Sequence, residues 1–206
     1  MAFIRSTFYF ILLFFGSCSE TPNVEKVPIA KRVVPSQSLL SQKTNEKKKL
    51  SEYEFFKSPI AELIPNVNVY SYDVNTPLFS DYASKKRFVF LPKDSQMEFS
   101  QIENTLLFET GSILIKNFYY PISKNEERII ETRLLIKEKE GWKPLNYIWN
   151  TEQTDASLNY IGADIEVEWM NSHEEIQKVN YSVPNQNQCK NCHISGSEIT
   201  PIGLTV

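Results

Sequence analysis

From residue 67 to residue 183 the chain is written in short apolar runs and alternations of period two, the pattern of half-buried β-strands. Residues 67–72 (VNVYSY) alternate, residues 87–91 (RFVFL) are compact and β-prone, and residues 112–120 (SILIKNFYY) are rich in branched and aromatic side chains. Residues 128–137 (RIIETRLLIK), the turn Glu138-Lys139-Glu140-Gly141 and residues 142–149 (WKPLNYIW) predict a β-hairpin. Ile165, Val167 and Trp169 alternate with Glu166, Glu168 and Met170, and a second hairpin through Asn171 and Ser172 returns along residues 176–183. About seven strands predict a mainly β fold, an antiparallel sandwich or half-open barrel. Ahead of them, Ser51 and Glu54 match a capping box before Phe55, Phe56 and Ile60, which predicts a short N-terminal helix. The alternation stops at Val183, where residues 184–188 (PNQNQ) predict a polar loop and a short C-terminal helix is expected to follow.

The first fifty residues have a different character. Arg5 precedes residues 8–15 (FYFILLFF), an apolar run of signal-peptide length and well short of the ~20 residues that span a bilayer. Gly16, Ser17 and Cys18 follow, small residues before a cysteine, which resembles the lipobox of bacterial lipoproteins. Residues 1–17 are therefore expected to be a signal peptide and Cys18 a lipidated N-terminus; the alternative is an ordinary cleaved signal that leaves Cys18 free. Residues 18–50 hold three prolines and many polar residues without an apolar period, so they are expected to be a flexible tether. The folded part is then residues 51–183, with residues 184–206 as a C-terminal segment.

Charge separates the same regions. Residues 19–50 carry seven Lys or Arg against three Glu, a net +4, whereas residues 51–206 carry a net −8. An acidic body argues against nucleic acid as a partner and suits a basic docking patch on a redox partner protein. The basic tether would at most add to membrane attraction through the N-terminal lipid.

The C-terminal segment holds the chemistry. Cys189, Lys190, Asn191, Cys192 and His193 read C-x-x-C-H, in which two thiols one helical turn apart can each add to a vinyl group of one haem and the histidine can reach its iron. This assigns all three cysteines of the chain: Cys18 to lipid, Cys189 and Cys192 to haem c. Other readings of the pair stand beside it. A thiol oxidoreductase uses C-x-x-C after a strand in a βαβ unit, and here the approach is a polar loop. A zinc site would have to recruit His173 to complete four ligands. A plain disulfide between Cys189 and Cys192 would leave a non-haem β-sandwich lipoprotein that binds a partner or glycan.

Residues 72–92 (YDVNTPLFSDYASKKRFVFLP), 111–121 (GSILIKNFYYP), 131–156 (ETRLLIKEKEGWKPLNYIWNTEQTDA) and 183–193 (VPNQNQCKNCH) resemble a family of exported, cytochrome c-like bacterial proteins in which a β-rich region leads into C-x-x-C-H. The resemblance implies covalent haem on Cys189 and Cys192, His193 as proximal ligand, and haem-linked electron transfer without a known substrate. Members run on beyond the Pro201-Ile202-Gly203 that this chain shares with them, so a truncated form is expected.

Iron chemistry leads to the same point. A sixth ligand is usually Met or His downstream of the motif, and residues 194–206 contain neither. The candidates left are Met170, which falls on the polar side of its strand, His173 after the turn, and Met97 in what reads as a polar loop; a five-coordinate or incompletely enclosed haem is the preferred expectation. Asp73, Asp81, Glu152 and Asp155 are expected to cap or close turns, and Lys85, Lys86 and Arg87 to form a solvated face. No phosphate loop or nucleophile elbow is present, so the chain reads as an electron carrier rather than a catalyst, held at the cell envelope on the periplasmic side or cell surface.

Overall fold

A computed structural model describes residues 46–102, 105–195 and 197–202. The signal-like run, Cys18 and nearly all of the tether lie outside the described residues. Within them the protein is mainly β, as its alternating pattern predicts, with antiparallel sheets and one α-helix.

Six strands form the main sheet: β1 (Val69–Tyr72), β2 (Ser84–Phe90), β5 (Ile113–Ser123), β6 (Glu126–Glu138), β7 (Gly141–Trp149) and β8 (Ala156–Asn159), side by side in that order. Three two-stranded hairpins complete the fold: β3 (Met97–Ser100) with β4 (Thr105–Phe108), β9 (Ala163–Met170) with β10 (Ile176–Val183), and a short β11 (Ile194–Ser195) with β12 (Glu198–Ile199). Helix α1 (Gln186–His193) lies between β10 and β11. Both hairpins read from the alternation form, β6–β7 and β9–β10.

Because side chains alternate along each strand, the register sorts the sheet into two faces. On one, Phe88, Ile115, Leu134 and Leu145 line up across four strands, and Leu50, Phe55, Phe56 and Leu63 from the N-terminal segment cover them. Tyr53 and Tyr147 meet edge to face there. The polar groups on this buried face are satisfied in a chain: the Trp149 indole N–H donates to Thr132, whose hydroxyl donates to Asn117.

The N-terminal segment differs from the predicted helix. It forms two 3-10 turns, Leu50–Tyr53 and Ile60–Glu62, and the first is capped by Glu52 reaching back to the Lys49 N–H. Ser51 is instead occupied with Asp155, which accepts from both its N–H and its hydroxyl. Packing of Leu50 and Phe55 into the sheet, rather than helical propensity, sets this geometry.

The second face is covered unevenly. Toward one end β9–β10 packs on it through Val167, Trp169 and Tyr181 against Phe118, Tyr120 and Ile130. Toward the other, Leu106 and Phe108 of β4 and Ile199 of β12 pack against Val89, Leu114 and Trp142. Between these two apolar areas runs a line of polar residues, and helix α1 is placed beside it.

Candidate functional site

Helix α1 is fixed at its start from several directions. Asn185 is its cap: the Asn185 side chain accepts from the Gln188 N–H at 3.0 Å, and the Gln188 side chain accepts from the Asn185 N–H at 2.8 Å. The helix therefore begins at Gln186, and Cys189 stands in its second turn rather than its first. Asn146 of β7 donates to the carbonyl of Pro184 at 2.9 Å, and Gln186 donates its N–H to Tyr160 and its amide to Pro144. Gly162, at φ +81, lets the chain pass so closely that an added Cβ would stand 2.6 Å from the Val183 carbonyl.

The motif residues are brought together on this helix. Cys189 is half-buried, Cys192 is exposed, and both are free thiols. His193 closes the helix, and β11–β12 brings the chain back on it: the Thr200 N–H donates to the His193 carbonyl at 2.7 Å, while the Thr200 carbonyl lies 3.0 Å from His193 Nδ1. A carbonyl can only accept, so Nδ1 carries the proton and Nε2 is left with a free lone pair. Burial, helped by the cations of Lys116 and Arg133, holds the imidazole below its usual pKa and hence neutral at pH 7. Burial also pushes the Cys189 thiol up, against the opposing pull of Arg133.

Beneath the motif lies the polar line. In register across all six strands stand Tyr72, Arg87, Lys116, Arg133, Asn146 and Asn159. Arg133 bonds Glu131 on its own strand through Nε at 2.9 Å and through Nη2, and Tyr181 donates its hydroxyl to the same carboxylate oxygen. Glu131 is fully buried. Arg87, its side chain 7% exposed, bonds Asp73, which is 86% exposed. Lys116 rests over the Phe118 ring and, among the described residues, has no carboxylate bonded to it. Burial, then Arg133, Arg87 and Lys85, push its ammonium down to about 8.

This row corrects the expected solvated face of Lys85, Lys86 and Arg87. Alternation along β2 turns Lys86 to the opposite face, where it pairs with Glu127, and sends Lys85 and Arg87 toward Lys116 and Arg133. The signal was present in the sequence as single cations inside three β-prone runs, at 87, 116 and 133. It becomes a site only once register places them opposite one another.

The remaining candidates lie apart from the motif. In β9–β10, Ala163 pairs with Val183 at the end that leads into α1, and Met170 pairs with Ile176 at the other. Seven residues at ~3.3 Å each place Met170 and the following turn about 23 Å along the hairpin. There Glu174 pairs with Lys124, beside the β5–β6 turn, so Met170 and His173 stand at the opposite end of the hairpin from the one that leads into α1. Met97, read as a loop residue, begins strand β3 and is exposed. Asp81 and Asp155 stand in turns: the Ala83 N–H donates to the Ser80 carbonyl across Asp81, and the Asn150 N–H donates to the Asp155 carbonyl, while the Asp155 side chain also holds Ser51. Among the described residues no group of three or more His, Cys, Asp or Glu is placed to hold a bare metal ion, and no helix is long and apolar enough to cross a membrane.

Comparison of the chain with protein-family models, with curated proteins and with solved structures found no match.

Proposed function

We propose that the chain carries haem c, bound covalently by Cys189 and Cys192 with His193 as proximal ligand, and serves electron transfer as an exported protein tethered to the cell envelope by lipid on Cys18. The observation that carries this reading is the state of His193: its Nδ1–H is engaged by the Thr200 carbonyl, which orients the ring and leaves Nε2 as a donor atom next to two free thiols one turn apart. Metal-binding histidines use this arrangement, with the second nitrogen held by a backbone carbonyl. The donor set fits haem: Cys189 and Cys192 would hold it and His193 would bind its iron, and the group would supply one-electron redox chemistry.

The same residues favour haem over the other readings of C-x-x-C-H. A redox-active thiol needs a depressed pKa, and Cys189 is shifted the other way. A bare zinc ion needs about four ligands, and His173 is at the far end of its hairpin from the motif. Helix α1 has no buried residue, in keeping with an incompletely enclosed haem.

The test is to produce the full-length chain in a bacterial host with the haem-attachment machinery and stain it for haem after denaturing electrophoresis. Covalent haem survives denaturation, and the stain is expected in the wild type and lost in a Cys189→Ala, Cys192→Ala double variant. A colourless mature wild type would sink the reading. Mass spectrometry of the mature N-terminus tests lipid on Cys18 separately.

A further inference from the structure

Cations placed directly opposite one another on neighbouring strands repel and weaken a sheet. Arg87, Lys116 and Arg133 do this on three consecutive strands, with Lys85 one step along β2 on the same face. The acidic partners do not neutralise the row from within: Glu131 is spent on Arg133 and Tyr181, Asp73 reaches Arg87 from solvent, and Asp81 acts on Lys85. Lys116, at the centre, rests on an aromatic ring and feels Glu131 at a distance, with no carboxylate bonded to it among the described residues. Departures from the local rules of stable packing concentrate where a site is being built. Here the departure lies beside the motif: Asn146, the next member of the row after Arg133, holds the Pro184 carbonyl just ahead of α1, and Gln186 of α1 bonds the Pro144 carbonyl on the same strand.

We propose that the row Arg87, Lys116 and Arg133, with Lys85, is a carboxylate-binding site facing the C-x-x-C-H helix. Guanidinium and ammonium groups at this spacing match a carboxylate, which would relieve their mutual repulsion through charge-assisted hydrogen bonds. Two sources supply that chemistry. One is the propionate pair of a haem held by Cys189 and Cys192, which rests on the reading above; the other is a free polycarboxylate, which does not.

Lys116→Gln is the informative variant, since Lys116 takes part in no ion pair among the described residues and its loss strands no carboxylate; Lys85→Gln is the second, should the first fail to fold. Two measurements on the full chain decide. In haem-loaded protein, the propionate bending band of the resonance Raman spectrum reports hydrogen bonding to the propionates and is expected to shift in Lys116→Gln. In the Cys189→Ala, Cys192→Ala chain, titration calorimetry with citrate is expected to show binding that weakens about tenfold or more in the Lys116→Gln background. A shifted band identifies the propionates as the occupant. Citrate binding that depends on Lys116, when the wild type is colourless in the haem stain, supports the carboxylate site with a free ligand while the haem reading fails. An unmoved band, or no haem to observe, together with citrate binding that is absent or indifferent to Lys116, overturns the site whatever the stain shows.

Discussion

Lys116 on β5 stands directly across from Arg133 on β6, with Arg87 directly across on its other side. Burial first, and these two guanidinium groups after it, hold the Lys116 ammonium at about 8 against its ordinary 10.5. Below about 8 the group is charged in folded and unfolded chains alike and the folded state bears the full penalty. Between about 8 and 10.5 only the unfolded chain keeps the proton, so this group makes stability rise with pH. Lys116→Gln is expected to stabilise the protein at pH 7 by on the order of 1–2 kcal/mol and to remove that rise. Urea denaturation of both proteins across this pH range, read as their difference, measures it; a variant less stable at pH 7 contradicts the electrostatic account.

Glu131 is fully buried and accepts from Arg133 and Tyr181. Glu131→Ala leaves a partly buried guanidinium and a buried hydroxyl without their acceptor, and is expected to cost about 2–4 kcal/mol. Glu131→Gln, which keeps an acceptor for Tyr181, should cost less. Denaturation midpoints of the two variants give the order, and equal losses would mean that the acceptor kept by glutamine contributes nothing and the lost charge accounts for the whole effect.

Gly162 combines a positive φ with a backbone contact that no side chain can share. Gly162→Ala is therefore expected to lose more than ~1 kcal/mol and to disturb the start of α1 at Asn185. Thermal unfolding should show the loss, and amide exchange at Gln188 should accelerate as the cap loosens.

The two thiols differ in access. Cys189 is half-buried with its thiol pushed up, whereas Cys192 is exposed. Iodoacetamide is expected to alkylate Cys192 faster, by roughly tenfold, in haem-free protein at neutral pH. Peptide mapping of the labelled chain over time would show it, and equal rates would place Cys189 nearer the surface.

Met170 and His173 stand at the far end of β9–β10 from the motif. In haem-loaded protein, Met170→Ala and His173→Ala are accordingly expected to leave the absorption spectrum unchanged. His193→Ala should alter it strongly, since the iron would lose its proposed protein ligand. A spectrum changed by Met170→Ala would mean that the hairpin does not keep the position described.

How far the sequence carried this picture differs from element to element. The β6–β7 and β9–β10 hairpins were legible because each has unbroken alternation and a turn of recognisable composition. The β3–β4 hairpin was not, because MEFS and TLLF are four-residue strands held by packing on Trp142. The C-x-x-C-H spacing was legible as chemistry, yet its surroundings were not. The Thr200 carbonyl that orients His193 is a backbone group with no signature, and the cation row depends on pairings between residues 29 and 17 positions apart, 87 with 116 and 116 with 133. Ser51 shows the opposite error: a local capping pattern outcompeted by a hydrogen-bonded carboxylate at Asp155.

The row that weakens the sheet also specifies how it assembles. In β5 and β6, Lys116 and Arg133 alternate with Ile115 and Leu134, which face Phe55, Phe56 and their neighbours in the covered core. Sliding either strand by one residue would carry a cation into that core and leave an isoleucine or leucine among the remaining charges. Each strand thus has one arrangement that avoids burying bare charge, and a chain with few glycines and long β-prone segments is steered away from mispaired sheets by the same residues that cost it stability once folded.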